Sequence, residues 1–463
     1  MPATITAQAR TNLWKEKKAV DGNNRRIARF IRATSWDDLP PLVQQQAKLC
    51  TLDLLGAIIA GSQTKVAKII AKISRSYWHG DEATVLMAGT RSSLPGAILA
   101  NAFTANALDI DDGYRRVKGH PGAVVLPAVL AAAESSGVSG KEFLAALVIA
   151  YEVAIRAGLA WHEYHPEYHG TGSWGALGAC AGVAKILGLQ EGEIMHALGV
   201  AEYHAPMVEM MRCIDYPAMT KDGIGWGSMS GAVAALMTKE GFTGIPSIFS
   251  RKEFQGLVDS LGNQFEILGL YFKPYACCRW AQPAVTGALQ LRDKYGIHYQ
   301  DIQEVVIHTF REASRLQLQI PHNTEEAQYN ITYPVAAALV DGEVGPRQVL
   351  DENLNNESIL YTAEKVKVIW DKAYDHEFPG KCQCELTIKL KDGRKVSSGV
   401  VTALGDPDTP LGVEGLEKKF RWLARHILNS CQVEHIIETV WQLDKVSDVR
   451  SLTGLLYKPF NGA

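Results

Sequence analysis

Ala97-Ile-Leu-Ala-Asn-Ala-Phe-Thr-Ala-Asn-Ala-Leu108 runs directly into Asp109-Ile-Asp-Asp112-Gly-Tyr-Arg-Arg-Val-Lys-Gly-His120-Pro-Gly122, and then into the apolar run Ala123 to Ala133. The outer segments are small-residue and apolar, with the texture of helices buried against other helices. Between them stand three carboxylates, Arg115, Arg116, Lys118 and His120. Ionisable groups placed between buried helices must be paired or must shift their pKa values, and catalytic sites exploit this. The segment therefore predicts a large helical domain carrying acid–base chemistry in one of its loops.

Outward from this point the helical texture continues from Ile27 to about Gly241. Leu42 to Ala60 has apolar residues at helical spacing, with Pro40 and Pro41 suited to its start and Gly61 to its stop. Ser139-Gly-Lys-Glu142 has the form of a capping box ahead of Phe143–Leu159. Ser173–Leu187 and Trp226–Glu240 are crowded with Gly and Ala, which permits close helix approach. After about Gly262 the texture changes. Asp301–Phe310 alternates like a strand, and Cys382–Leu390 with Lys395–Val401 reads as a hairpin closed by a type I′ turn at Asp392-Gly393. A helical run, Pro334–Leu339, lies between them, and Arg421–Leu428 and Val433–Leu443 are helical again.

The expected fold is mainly α: a large all-helical domain with an inserted smaller α+β domain. The expected division is a polar arm over 1–20, the first part of the helical domain over 21–265, the α+β domain over 266–405, a return to the helical domain over 406–455 and a tail over 456–463.

A chain of 463 residues, 47% hydrophobic and 21% charged, has room for one large and one small domain. A net charge of −3 gives no case for a nucleic-acid or membrane-surface partner. No apolar run reaches the ~18 residues of a membrane span; the longest, around Leu144–Ile155, carries Glu152 and suits a buried helix. Eight cysteines in no secreted framework point to a reduced, cytoplasmic setting. The first twenty residues lack the apolar core of a secretory signal and read as an arm or a weak organelle-targeting segment.

Asp109, Asp111 and Asp112 can hold a divalent cation or can pair with Arg115, Arg116 and Lys118; a hard cation needs more oxygen ligands than the segment shows, so no metal is expected. His120 suits a general acid or base, against the plainer role of capping neighbouring carbonyls. His162, His165 and His169 would share a face on an unbroken helix, but Pro166 and Gly170 argue against one and hence against a tris-histidine zinc site. Lys221, in Met219-Thr-Lys-Asp-Gly-Ile-Gly-Trp-Gly227, suits carboxylate binding or a solvated loop. Neither a phosphate loop nor a strand-borne GxGxxG is present, so no nucleotide cofactor is implied.

These residues resemble the MmgE/PrpD family over roughly Ile27 to Leu443. The motifs that carry the likeness are Leu52-Asp-Leu-Leu-Gly-Ala57, Ala107-Leu-Asp-Ile-Asp-Asp112, His120-Pro-Gly-Ala-Val-Val-Leu-Pro127, Met219-Thr-Lys221, Lys273-Pro-Tyr-Ala-Cys-Cys278 and Ala338-Leu-Val-Asp-Gly342. The family includes methylcitrate dehydratase, cis-aconitate decarboxylase and iminodisuccinate epimerase. The resemblance implies a helical domain plus an α+β domain, a homodimer, and a lyase that needs no cofactor and acts on a small polycarboxylate. It places Asp109 and His120 on an active-site acid and histidine, His169 on a second histidine, and Lys221 on the active-site lysine. Arg279 and Gln282 are expected at the substrate. Where many members carry a histidine, this chain has Gln282, which can act as neither acid nor base. An epimerase of a polycarboxylate and a binding protein without turnover stay open beside the lyase. In every case His120, His169 and Lys221 are expected to line one cavity facing Gln282.

Overall fold

The computed structural model describes residues 22–316 and 320–457; the expected N-terminal arm and all but the start of the tail lie outside them. The first part is a succession of helices: α1 (22–33), α2 (Pro41–Gly61), α3 (Lys65–Tyr77), α4 (Leu94–Ala105), α5 (Pro121–Ser136), α6 (Gly140–Tyr164), α7 (Thr171–Ile186), α8 (Glu191–His204), α9 (Met210–Asp215), α10 (Ile224–Lys239) and the short α11 (Gln255–Asp259). Their small residues make α7 a hub, packed on α5, α6, α8 and α10. The capping box at Ser139 is formed: its hydroxyl accepts from Glu142 N while the Glu142 carboxylate accepts from Ser139 N. α2 stops at Gly61 as expected, and α4 passes so close there that a Cβ would meet Thr104 O at 2.2 Å. Two small antiparallel pairs, β1 (Ala83–Val85) with β2 (Thr90–Ser92) and β3 (Gly113–Tyr114) with β4 (Leu270–Tyr271), have no strong sequence signal.

The second part holds β5 (Ile302–Thr309), β6 (Val366–Trp370), β7 (Gln383–Leu390) and β8 (Lys395–Thr402) in the order β6-β5-β7-β8, with β5 and β6 parallel and the other pairs antiparallel. Along β7 buried residues alternate with half-buried ones, so one face of the sheet meets the core, where α12 (Gln282–Tyr295) and α14 (Thr332–Asp341) pack. The short α13 (Thr324–Gln328), α15 (Pro346–Val349) and α16 (Glu357–Ala363) complete this part. The β7–β8 turn differs from expectation. Gly393 N donates to Leu390 O and Leu390 N to Arg394 O, leaving a three-residue loop in which only Gly393 has a positive φ (89°). That is a type I turn with a bulge at glycine, not a two-residue type I′ turn.

The chain ends in α17 (Gly412–Ala424), α18 (Ser430–Trp441) and α19 (Arg450–Leu455), with α17 and α18 lying against α2. The first of these starts nine residues before the expected Arg421, and its amphipathic pattern was masked by the charged Glu417-Lys-Lys419. Among the described residues one helix, α6, is itself long and apolar enough to cross a membrane; as expected for Leu144–Ile155 it is a buried helix of the core, and its Glu152–Arg156 pair is satisfied by protein groups. Buried apolar residues form two clusters, one in the helices and one around the sheet. The second also takes in Ala57, Ala60, Leu108, Ile110, Met210 and Ile214 from the helical side. The loop after α4 therefore sits where the two cores meet.

Candidate active site

That loop is held by its own polar groups. Asn106 Nδ2 donates to Asp111 Oδ1 at 3.0 Å, and Gly122 N and Tyr151 OH donate to the two oxygens of Asp112 at 3.0 and 2.5 Å. Asp109 (φ 52°) and Lys118 (φ 49°) adopt left-handed backbone, which costs a non-glycine residue about 1–3 kcal/mol and persists where the surroundings over-determine it. The β3–β4 pairing clips the loop to the segment that continues into Lys273, and His120 is the N-cap of α5.

Around the His120 ring three chain segments converge. Its Nδ1 lies 3.1 Å from Asp111 Oδ2 and 3.4 Å from Lys273 Nζ; its Nε2 lies 3.5 Å from Asp109 Oδ1 and 4.0 Å from Asp222 Oδ2. Lys273, fully buried, is 3.2 Å from Asp109 Oδ1. His120 N donates to Thr171 Oγ1, whose hydroxyl donates to Asp222 Oδ2. Asp109 Oδ1 and Asp111 Oδ2 make no well-directed hydrogen bond, so these contacts are ionic and leave acceptors open. The expected pairing of the three aspartates with Arg115, Arg116 and Lys118 does not occur: Arg115 turns instead to Asp406 and Asp408.

The charges set the protonation states. Burial is the strongest influence on His120 and opposes its imidazolium, as does Lys273; Asp111 and Asp109 together overcome both and hold its pKa above the usual histidine value. Burial alone would raise Asp111, but His120 and Lys273 hold it well below the carboxylate range. Asp112 has no cation beside it, and burial pushes it up to about 7 against its hydrogen bonds from Tyr151 and Gly122. Burial also raises Asp222, with help from Asp109.

A small cavity opens beside this cluster, lined by Asp109, His120, Arg115, Lys118, Arg279 and the tyrosines 168, 271 and 329 among others. It brings together three of the expected site residues: Asp109, His120 and Arg279. It does not bring in the rest, so the expectation of a single cavity lined by His120, His169 and Lys221 is not met. Lys221 is buried, but its Nζ donates to Asn106 O and Gln328 Oε1 at 2.5 and 2.6 Å, bracing the loop after α4 against α13. His169 adjoins the cavity-lining Tyr168; its ring stacks on His162, and its Nε2 is buried without a hydrogen-bond partner. Gln282 gives its Nε2 to Tyr275 O and Cys277 O, holding the turn into α12.

Asp109, Asp111 and His120 place ligand atoms within 4.8 Å of one another, a spacing that suits a metal ion. Asp112, expected in such a set, is instead turned to Gly122 and Tyr151. Lys273 Nζ contacts both Asp109 and His120, so an ammonium already supplies the positive charge such a set needs. The donor set fits a lysine ammonium better than a metal ion.

Lys273, Asp222, Lys118 and Arg115 were not singled out as site residues from the sequence. Lys273 had a signal: it opens the motif Lys273-Pro-Tyr-Ala-Cys-Cys278, in the Lys273–Gln282 segment expected to form one wall of the pocket. Lys118 is half-buried over the Tyr168 ring, 4.5 Å from its centre, and has no ion-pair partner among the described residues.

The chain matches the MmgE/PrpD N-terminal domain over residues 25–268 and the MmgE/PrpD C-terminal domain over 275–445. It is 24% identical to the cis-aconitate decarboxylase-like protein oryM of Aspergillus oryzae, covering 93% of this chain and 96% of that one. It is 26% identical to the cis-aconitate decarboxylase of Homo sapiens over 94% of each chain. It is also 26% identical to the mitochondrial 2-methylcitrate dehydratase of Yarrowia lipolytica, covering 85% of this chain and 80% of that one.

Proposed function

The chain belongs to the MmgE/PrpD family, and we propose that it is a lyase which moves a proton next to a carboxylate of a small polycarboxylate, with loss of water or carbon dioxide and without a resident cofactor. The observation that carries this reading is His120, wedged among Asp109, Asp111 and the buried Lys273 on a cavity with Arg115, Lys118 and Arg279 in its wall. Cationic walls select carboxylates, and groups pushed to opposite protonation states divide acid from base. His120, with its raised pKa, holds a proton to give to the departing hydroxyl in loss of water, or to the carbon that carbon dioxide leaves. His169, lowered by burial and by His165, is neutral and has a free Nε2; it is the base that takes the proton as the complex tightens. Lys118 holds a substrate carboxylate, Asp109 tunes His120, and Lys221 acts as a positioning residue through Asn106 and Gln328.

The test is turnover of a polycarboxylate panel, including cis-aconitate and 2-methylcitrate, in deuterated water with mass spectrometry. Loss of water or carbon dioxide is expected. Deuterium uptake with no loss of mass would move the assignment to an epimerase. Binding without turnover would make the chain a carboxylate-binding protein. Turnover that a chelator abolishes and zinc or magnesium restores would end the cofactor-free reading. A homodimer is part of the same proposal. From the end of α8 to the start of α10, Tyr203, Met207, Tyr216 and Trp226 stand 50–78% exposed, apolar surface of the kind that a second copy would cover. Sedimentation of the full chain as a monomer at micromolar concentration would remove that part.

A further inference from the structure

Arg279 and Arg115 reach the cavity from different parts of the chain, one from the turn before α12 and the other from the loop after β3. Both meet Asp406, in the loop that follows β8. Arg279 Nη2 lies 2.6 Å from Asp406 Oδ2, and Arg279 Nη1 donates to Leu404 O at 2.6 Å. Arg115 Nη1 lies 3.8 Å from Asp406 Oδ2 and 3.3 Å from Asp408 Oδ1. The Arg279 guanidinium is stacked on Tyr271, 4.2 Å from the ring centre, which fixes its plane. Arg279 is 6% exposed and Asp406 1%.

Close as the Arg279–Asp406 contact is, it is poorly directed. Arg279 Nε and Nη2 are buried without a hydrogen-bond partner, and both Asp406 oxygens are too. Nε and Nη2 form one edge of the guanidinium, the kind of edge that takes carboxylate oxygens; Nη2 faces Asp406 and Nε is left open.

We propose that Arg279 and Arg115, joined through Asp406, form the subsite for a substrate carboxylate remote from the reacting carbon, and so make the enzyme select for an additional carboxylate. Asp406 is a positioning residue that holds the two guanidiniums at one spacing. The inference rests on the polycarboxylate reading above but adds a distinct claim about which residues read the distal end of the substrate.

Calorimetric titration of the full chain with tricarballylate and with succinate tests it without requiring turnover. Wild type is expected to bind the tricarboxylate more tightly than the dicarboxylate. Arg279→Gln should weaken tricarballylate at least tenfold and succinate much less, collapsing the preference; Arg115→Gln, at a quarter-exposed site that tolerates substitution, should do the same to a smaller degree. Asp406→Asn, compared as folded protein, should lower the preference, and Asp406→Glu should restore part of it. With a substrate that turns over, Arg279→Lys should raise KM more than it lowers kcat. Folded Arg279→Gln and Arg115→Gln proteins that both keep the wild-type preference would overturn the subsite and leave the lyase proposal standing. A wild type that binds neither acid would overturn the polycarboxylate reading and the subsite with it.

Discussion

Two regions of this molecule are rich in histidine chemistry, and they are built in opposite ways. Around the His120 ring stand charged groups from three separate segments, Asp109, Asp111, Asp222 and Lys273, and Asp111 and Asp109 raise its pKa against burial and Lys273. Around His169 the neighbours are rings, with His162, His165 and Trp161 centred 5.8 to 6.4 Å away, and burial lowers its pKa while leaving its Nε2 without a partner. The denser local cluster of histidines is thus the less charged one. The lesson is that a histidine's protonation state is set by what distant elements bring to it, not by how many histidines surround it in sequence.

The largest effect should come from breaking the charged region at its centre. His120→Asn removes the proton donor and is expected to lower kcat about a hundredfold to ten-thousandfold on whichever polycarboxylate the panel identifies. His169→Asn should also lower kcat, and the pH–rate profile separates the two roles. Activity should fall on the alkaline side as His120 loses its proton, at a pH above the usual histidine value. It should fall on the acid side as His169 gains one, below that value. A profile in which His169→Asn leaves the acid limb intact would sink the assignment of His169 as base.

The next contrast is in stability. Lys273→Met leaves Asp109 buried without its ammonium, and breaking a buried pair by removing one partner typically costs about 3–5 kcal/mol. His165, an exposed residue at the end of α6, has no such partner, and His165→Gln should stay within about 0.5 kcal/mol of wild type. Urea unfolding of both variants measures the difference. Equal, small losses would mean that Lys273 is not the counter-ion the geometry makes it.

Much of this was open to a reader of the sequence, and what was not has a common cause. The capping box at Ser139, the β7–β8 hairpin and the alternation of β5 depend on residues a few positions apart, so their signals are local. The loop Asp109–His120 was also legible, because carboxylates between apolar helices stand out. The partners of that loop were not. Lys273 lies 153 residues from His120, and Asp406 lies 127 residues from Arg279; no local pattern joins them. The β3–β4 clip that delivers Lys273 is two residues long on each side, too short for any periodicity. The partner of Lys221 was hidden for a related reason: a lysine among glycines looks available, and Gln328, which takes its ammonium, lies 107 residues on.

The finest distinction between the two regions is the sign of their response to acid. Asp112 keeps its proton in the folded chain up to about pH 7, whereas an ordinary aspartate gives it up near 3.8. Between those values the folded state binds the extra proton, so the stability Asp112 contributes is complete below 3.8 and is lost as pH rises through 7. His162 is the reverse. Burial, Lys118 and His169 lower it from 6.5 to about 4, so the unfolded chain takes the proton first; its contribution is present above 6.5 and is lost as pH falls toward 4. At about 1.4 kcal/mol per unit, moving from pH 8 to pH 5 should gain on the order of 2 kcal/mol from Asp112. The same change should cost about 1 kcal/mol at His162, which is only half-buried and partly screened. Relative to wild type, Asp112→Asn should therefore lose stability on acidification and His162→Gln should gain it, with denaturant midpoints at pH 8 and pH 5 as the readout. Glutamine keeps an acceptor for His169 N; asparagine keeps one for Gly122 N and turns its amide N–H to Tyr151 OH, where a protonated Asp112 would also donate. If both variants shift in the same direction, the two regions titrate as one unit. Lys118, whose charge reaches His162 while its side chain lines the cavity with His120, would then be the residue that couples them.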